Sequence, residues 1–217
     1  MKKVGIIMKI FKKVLFGLLI IIVASVYSYG IWPRAIYNTD IGANSYEITD
    51  SLSNNAILEQ RFVCEDNGMC GLSIKLTKQM NQRIGNYEWE ITEEESSERI
   101  GKGSINESST ENRDFESKSS QKKGNIELKF AKQDDSKDKA YILTIKASNV
   151  DDAESAAVYI TEKDKAGTEL AVNGKDIDRA SVIKINYQRF NVETFIVFLG
   201  IVVYLVLFVR FMYKLFK

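Results

Sequence analysis

Asp176-Ile177-Asp178 sets two carboxylates at the spacing that, on one strand face, can share a divalent cation in a nucleotide-sugar site. The pair follows directly on the turn-forming Asn173-Gly174, where carboxylates are ordinarily solvated, so it is given no catalytic role. Glu93-Glu94-Glu95 and Asp134-Asp135 are further acid clusters. An acid/base pair needs one member desolvated to raise its pKa, and nothing adjoining these residues does that, so they read as loop acids. The chain has no histidine, which removes the commonest general base, the Ser-His and Cys-His nucleophile pairs and every His-ligated metal site. Without an assembled acid, base and nucleophile the chain reads as non-enzymatic, and no metal or cofactor is assigned.

Cys64 and Cys70 are the two cysteines. Asp66-Asn67-Gly68 between them suits a three-residue hairpin loop with Gly68 in the left-handed conformation, which would set the thiols opposite each other for a cross-strand disulfide worth about 2 kcal/mol. The alternative is two free thiols packed as small hydrophobes. Trp89 offers an indole face on which a sugar ring could stack, yet its alternation with Tyr87 and Ile91 places it among buried residues.

The elements that must position these groups show a period of two. Phe62 and Cys64 alternate with Arg61 and Val63; Leu72, Ile74 and Leu76 with Ser73 and Lys75; Ile126, Leu128 and Phe130 with Glu127 and Lys129. Further strand-like runs begin at Ala140, Ala156 and Ser181, and Asn173-Gly174 supplies the positive φ angles of a type I′ hairpin. Seven or eight closely spaced strands predict an all-β sandwich over 56–190. Residues 93–123 are polar and short of core-forming side chains, which predicts a long mobile excursion in which Ile100, Ile105 and Phe115 mark one irregular strand.

Two apolar runs flank this domain. Residues 14–32 carry no charge over 19 residues, about 28 Å of helix, with Tyr27, Tyr29 and Trp32 at the far end and Pro33 as the stop. A cleaved signal peptide is the alternative, but the run exceeds the roughly 7–15 residues of a signal core. Residues 192–213 form the second span, with Arg210 snorkelling outward. Gly17 and Gly200 are candidates for close packing of the two helices. The tails 1–13 and 214–217 are basic, so both termini are expected in the cytoplasm, with 33–55 a connector and the sandwich outside the cell membrane. Residues 33–193 hold 22 basic against 29 acidic residues, a net of −7, which disfavours nucleic acid as a partner and leaves the lipid bilayer, a cell-surface glycan or a multi-span membrane protein.

The pieces ILEQRF from Ile57, GLSIKL from Gly71, GNYEWEI from Gly85, KAYILTIKA from Lys139, LAVNGKDI and SVIKINY, over about 56–187, follow an order that resembles the galactose-binding-like jelly-roll ectodomains of bacterial membrane proteins in cell-surface polysaccharide assembly. Members of that group usually join the jelly roll to a multi-span catalytic region, whereas this chain offers two spans and no catalytic half. The resemblance therefore implies an accessory or glycan-recognising component of envelope polysaccharide assembly, with a scaffolding subunit making only protein contacts as the alternative.

Overall fold

The computed structural model describes residues 2–53, 55–78, 83–108, 115 and 123–217. They divide into a unit of the two chain ends, 1–32 and 189–217, and a domain over 33–188.

In the terminal unit, helices α1 (Lys2–Ser28) and α2 (Val192–Leu215) are both long and apolar enough to cross a membrane. Asn191 caps α2, its Oδ1 accepting the backbone N–H of Thr194 at 2.9 Å. The helices meet where Ala24 and Ser28 are fully buried and the rings of Tyr27 and Phe198 lie 5.3 Å apart. Gly17 and Gly200 do not mediate this packing, because a Cβ built at either would have nothing within 4 Å. Nor does the first helix run to Trp32. The Ser25 and Ser28 hydroxyls donate back to the carbonyls of Ile21 and Ala24, and the chain leaves the helix at Ser28 for strand β1 (Tyr29–Ala35). Pro33 lies inside β1, which is an edge strand and needs no donor there.

The domain is built from β2 (Glu47–Ile48), β3 (Ile57–Val63), β4 (Met69–Thr77), β5 (Tyr87–Glu93), β6 (Arg99–Ile105), β7 (Asn125–Gln133), β8 (Ala140–Ala147), β9 (Ala157–Thr161), β10 (Glu169–Val172), β11 (Lys175–Ile177), β12 (Ala180–Ser181) and β13 (Ile183–Phe190). One antiparallel sheet runs β1-β13-β4-β9-β12, with β7 also on β4 and β2 also on β9; the other runs β11-β10-β3-β8-β5-β6. Consecutive strands mostly belong to different sheets. Among the described strands only β5-β6 and β10-β11 are hairpins, the latter turning at Asn173 (φ 53°) and Gly174 (φ 72°) as the Asn-Gly pair predicts.

The inward faces of the two sheets share one core. Leu58, Phe62, Tyr87, Ile91, Leu143 and Ile145 from one sheet pack with Leu72, Ile74, Leu128, Val158, Ile183 and Ile185 from the other. Two buried polar side chains are tied into the structure by hydrogen bonds. The Tyr87 hydroxyl donates to the Leu52 carbonyl and accepts the Ala156 N–H at 2.7 Å, while Gln60, wholly buried on β3, donates to the carbonyls of Arg61 and Glu169 and accepts the Ser181 N–H.

Two expectations need correcting. Residues 33–55 are more than a connector: β2 pairs with β9, Leu52 bridges to Ala156 and Tyr37 bridges to Lys163, so the segment adds to the sheet. Part of 93–123 is ordered too, since Arg99–Ile105 is a regular strand paired along β5. Its polar composition misleads because β6 is an edge strand with two glycines on its inner face, Gly101 under the Phe130 ring and Gly103 under the Trp89 indole. Phe115 is buried against the core, and 109–114 and 116–122 lie outside the described residues.

Candidate functional site

The outer face of the six-stranded sheet carries a groove of about 590 Å³ over β5, β6 and β8. Alternation puts Glu88 and Glu90 of β5, Lys102 and Ser104 of β6 and Thr144 and Lys146 of β8 on the same side. Register then decides their neighbours. Glu88 stands between Ser104 and Lys146, and Glu90 between Lys102 and Thr144, with Arg99 3.8 Å from Glu90. Each acceptor therefore has a donor or hydroxyl across the ladder, which suits a polyhydroxylated ligand that both donates and accepts.

Trp89 belongs to the core. Only 6% of it is exposed, and its indole lies so close over Gly103 that a Cβ there would approach Cε2 and Cζ2 at 2.8 Å. It contributes an edge to the groove floor, with no ring face open for stacking. Recognition at this groove would rest on hydrogen bonds and charge.

Cys64 and Cys70 are free thiols, not a disulfide. Residues 64–68 are an arch from one sheet to the other instead of a hairpin loop, because β3 pairs with β8 and β10 while β4 pairs with β7, β9 and β13. Cys64 faces the core with Sγ 3.4 Å from Met69 Sδ; Cys70, on β4 where its pairing is irregular, is half-buried and its thiol donates to the Asn186 carbonyl. Burial pushes the Cys64 thiol up to about 12 and, less strongly, raises that of Cys70, so neither is an activated nucleophile.

Hydrogen bonds hold the arch in place of a disulfide. Gly68, at φ 86° as its loop predicts, donates to the Gln133 carbonyl and accepts the Gln188 N–H. The Ser136 hydroxyl donates to the Asp66 carbonyl and accepts the Met69 N–H, and Tyr187 Oη accepts the Glu65 N–H. Arg34 Nε lies 2.7 Å from Asp66.

Most members of the acid clusters are held in ion pairs. Asp178 meets Lys163 at 2.7 Å, Glu93 and Asp135 share Lys139, and Glu94 forms a two-pronged pair with Arg61, which lowers the Glu94 pKa. No group of three or more metal-ligating acids or cysteines occurs among the described residues. Sequence reasoning missed the groove because cross-strand register, which sets its charge alternation, is absent from the linear pattern.

No protein family matches the chain, and no curated protein is significantly similar to it.

Proposed function

We propose that this is a two-span membrane protein with both termini in the cytoplasm, whose domain over 33–188 lies outside the membrane and recognises glycan as an accessory component of envelope polysaccharide assembly. The basic residues gathered at the chain-terminal end of each apolar helix support the orientation, since positive charge is retained on the cytoplasmic side. The observation that carries the recognition reading is the groove of acids, amines and hydroxyls on the exposed sheet face, where Glu88 has Ser104 and Lys146, and Glu90 has Lys102 and Thr144, as cross-strand neighbours.

The test is a glycan array probed with the detergent-solubilised full chain, wild type against Glu90→Gln and Lys146→Met. Binding that falls about tenfold in either variant, with the melting temperature unchanged, supports the reading, since a charge-assisted hydrogen bond contributes about 1.5–3 kcal/mol. No glycan binding, together with co-purification of a multi-span protein, would instead assign the domain to protein contacts. Orientation is tested separately by protease on intact cells, which should cleave the domain from outside.

A further inference from the structure

On the opposite face of the domain, the outer side of the seven-stranded sheet is roofed by the segment between β1 and β2. Tyr37, Tyr159, Ala180 and Val182 form a small second cluster there with Tyr46, separate from the main core. Beneath that roof lies a pocket of about 180 Å³. At about 30 Å³ per water this holds roughly six, enough for one small headgroup and too little for a drug-sized ligand.

The lining is polar and cationic. Ser73 and Lys75 of β4, Lys184 of β13 and Asn125 of β7 rise from the sheet; Tyr37, Thr39 and Tyr46 come down from the roof. Register sets Lys184 opposite Ser73, and Ser73 also accepts a hydrogen bond from Asn186 Nδ2 at 3.1 Å. Glu127, across β4 from Ser73, is turned to Lys129 at 3.0 Å, and the lining itself holds two amines and no carboxylate.

Lys75 is the unusual member. It is 4% exposed although it lies on the outer face of its strand; its amine donates to the Lys123 carbonyl and stands 5.3 Å from the centre of the Tyr159 ring. Burying an ammonium is costly, and here burial first, then the positive charges of Lys184 and Lys123, lower its pKa. Tyr37 is shifted the other way, by burial and by Tyr46, so its hydroxyl stays protonated. An anion entering the pocket would relieve the repulsion between the lysines and meet neutral hydroxyl donors from Ser73 and the roof tyrosines.

The geometry points to a binding site for a single small oxyanion group, carboxylate or phosphate, held by Lys75 and Lys184 under the Tyr37-Tyr46 roof. This site is distinct from the groove, lies on the other sheet, and stands or falls without it.

The experiment is calorimetric titration of the full chain in uncharged detergent with inorganic phosphate, glucuronate and, as the neutral control, glucose. Binding of phosphate or glucuronate but not glucose is expected, with affinity reduced about tenfold or more in Lys184→Gln and abolished in Lys75→Met, and unaltered in the groove variant Glu90→Gln. Phosphate alone would identify a phosphorylated ligand, glucuronate alone an acidic sugar; either supports the site. Absence of oxyanion binding, or binding unchanged in Lys184→Gln, would overturn it. Because Lys184 is solvent-exposed, that variant decides the question even if Lys75→Met fails to fold.

Discussion

Cys64 Sγ and Met69 Sδ lie 3.4 Å apart inside the core, at the two ends of the arch that carries the chain from one sheet to the other. That contact fixes the fate of both thiols. Met69 takes the place beside the Cys64 sulfur, while the Cys70 thiol donates to the Asn186 carbonyl, so the two sulfurs have separate partners.

Alkylation of the native protein should therefore modify Cys70 and spare Cys64, with Cys64 labelled only after denaturation; peptide mass spectrometry reads both sites. The pH dependence follows in sign. Burial raises the Cys64 thiol from an ordinary value of 9.0 to about 12, so between those values the unfolded chain loses a proton that the folded chain keeps. That contribution to stability is full below pH 9 and declines by up to about 1.4 kcal/mol per unit as pH rises. Comparison of urea midpoints for wild type and Cys64→Ala across this window isolates the effect.

Ser136→Ala removes a hydroxyl that serves the Asp66 carbonyl and the Met69 N–H together. Leaving buried backbone groups unsatisfied costs about 1–3 kcal/mol, so the urea midpoint should drop accordingly while glycan and oxyanion binding persist. An unchanged midpoint would mean that the arch is not held as described.

Gln60→Leu tests the link between the sheets. The Leu side chain keeps the volume and loses the acceptor for Ser181 N–H and the donor to the Glu169 carbonyl, for an expected cost of about 1–3 kcal/mol in chemical denaturation. A neutral result would show that water replaces the amide.

Gly103→Val should be more disruptive than its exposed edge-strand position implies, because even a Cβ meets the Trp89 ring at 2.8 Å. Overpacking of this kind costs about 1–3 kcal/mol, and displacement of the indole should red-shift the fluorescence of Trp89 relative to wild type. Trp32→Phe removes the second indole and makes the reading unambiguous.

Local pattern made much of the fold legible. The alternation through Leu72-Ile74-Leu76, Tyr87-Trp89-Ile91 and Ile126-Leu128 marks the buried faces correctly, and Asn173-Gly174 marks its turn, because burial on one face and positive φ are requirements of a few adjacent residues. The same locality misled at Asp66-Asn67-Gly68. A left-handed glycine suits an arch between sheets as well as a hairpin loop, so the conformation was legible and the pairing was not.

Hydrophobic length and two-residue periodicity are properties of contiguous chain, so the two apolar helices and the strand-rich domain between them are legible in the linear order of residues. Tertiary structure alone decided which strands pair. Through that pairing it gave Cys64 and Cys70 different partners, set amines and hydroxyls across the ladder from Glu88 and Glu90, and buried Lys75 beneath a roof more than 25 residues away in sequence, at Tyr37 and Tyr46. Such neighbours are set by the sheet order, which depends on the summed burial of both sheets and is written in no single segment.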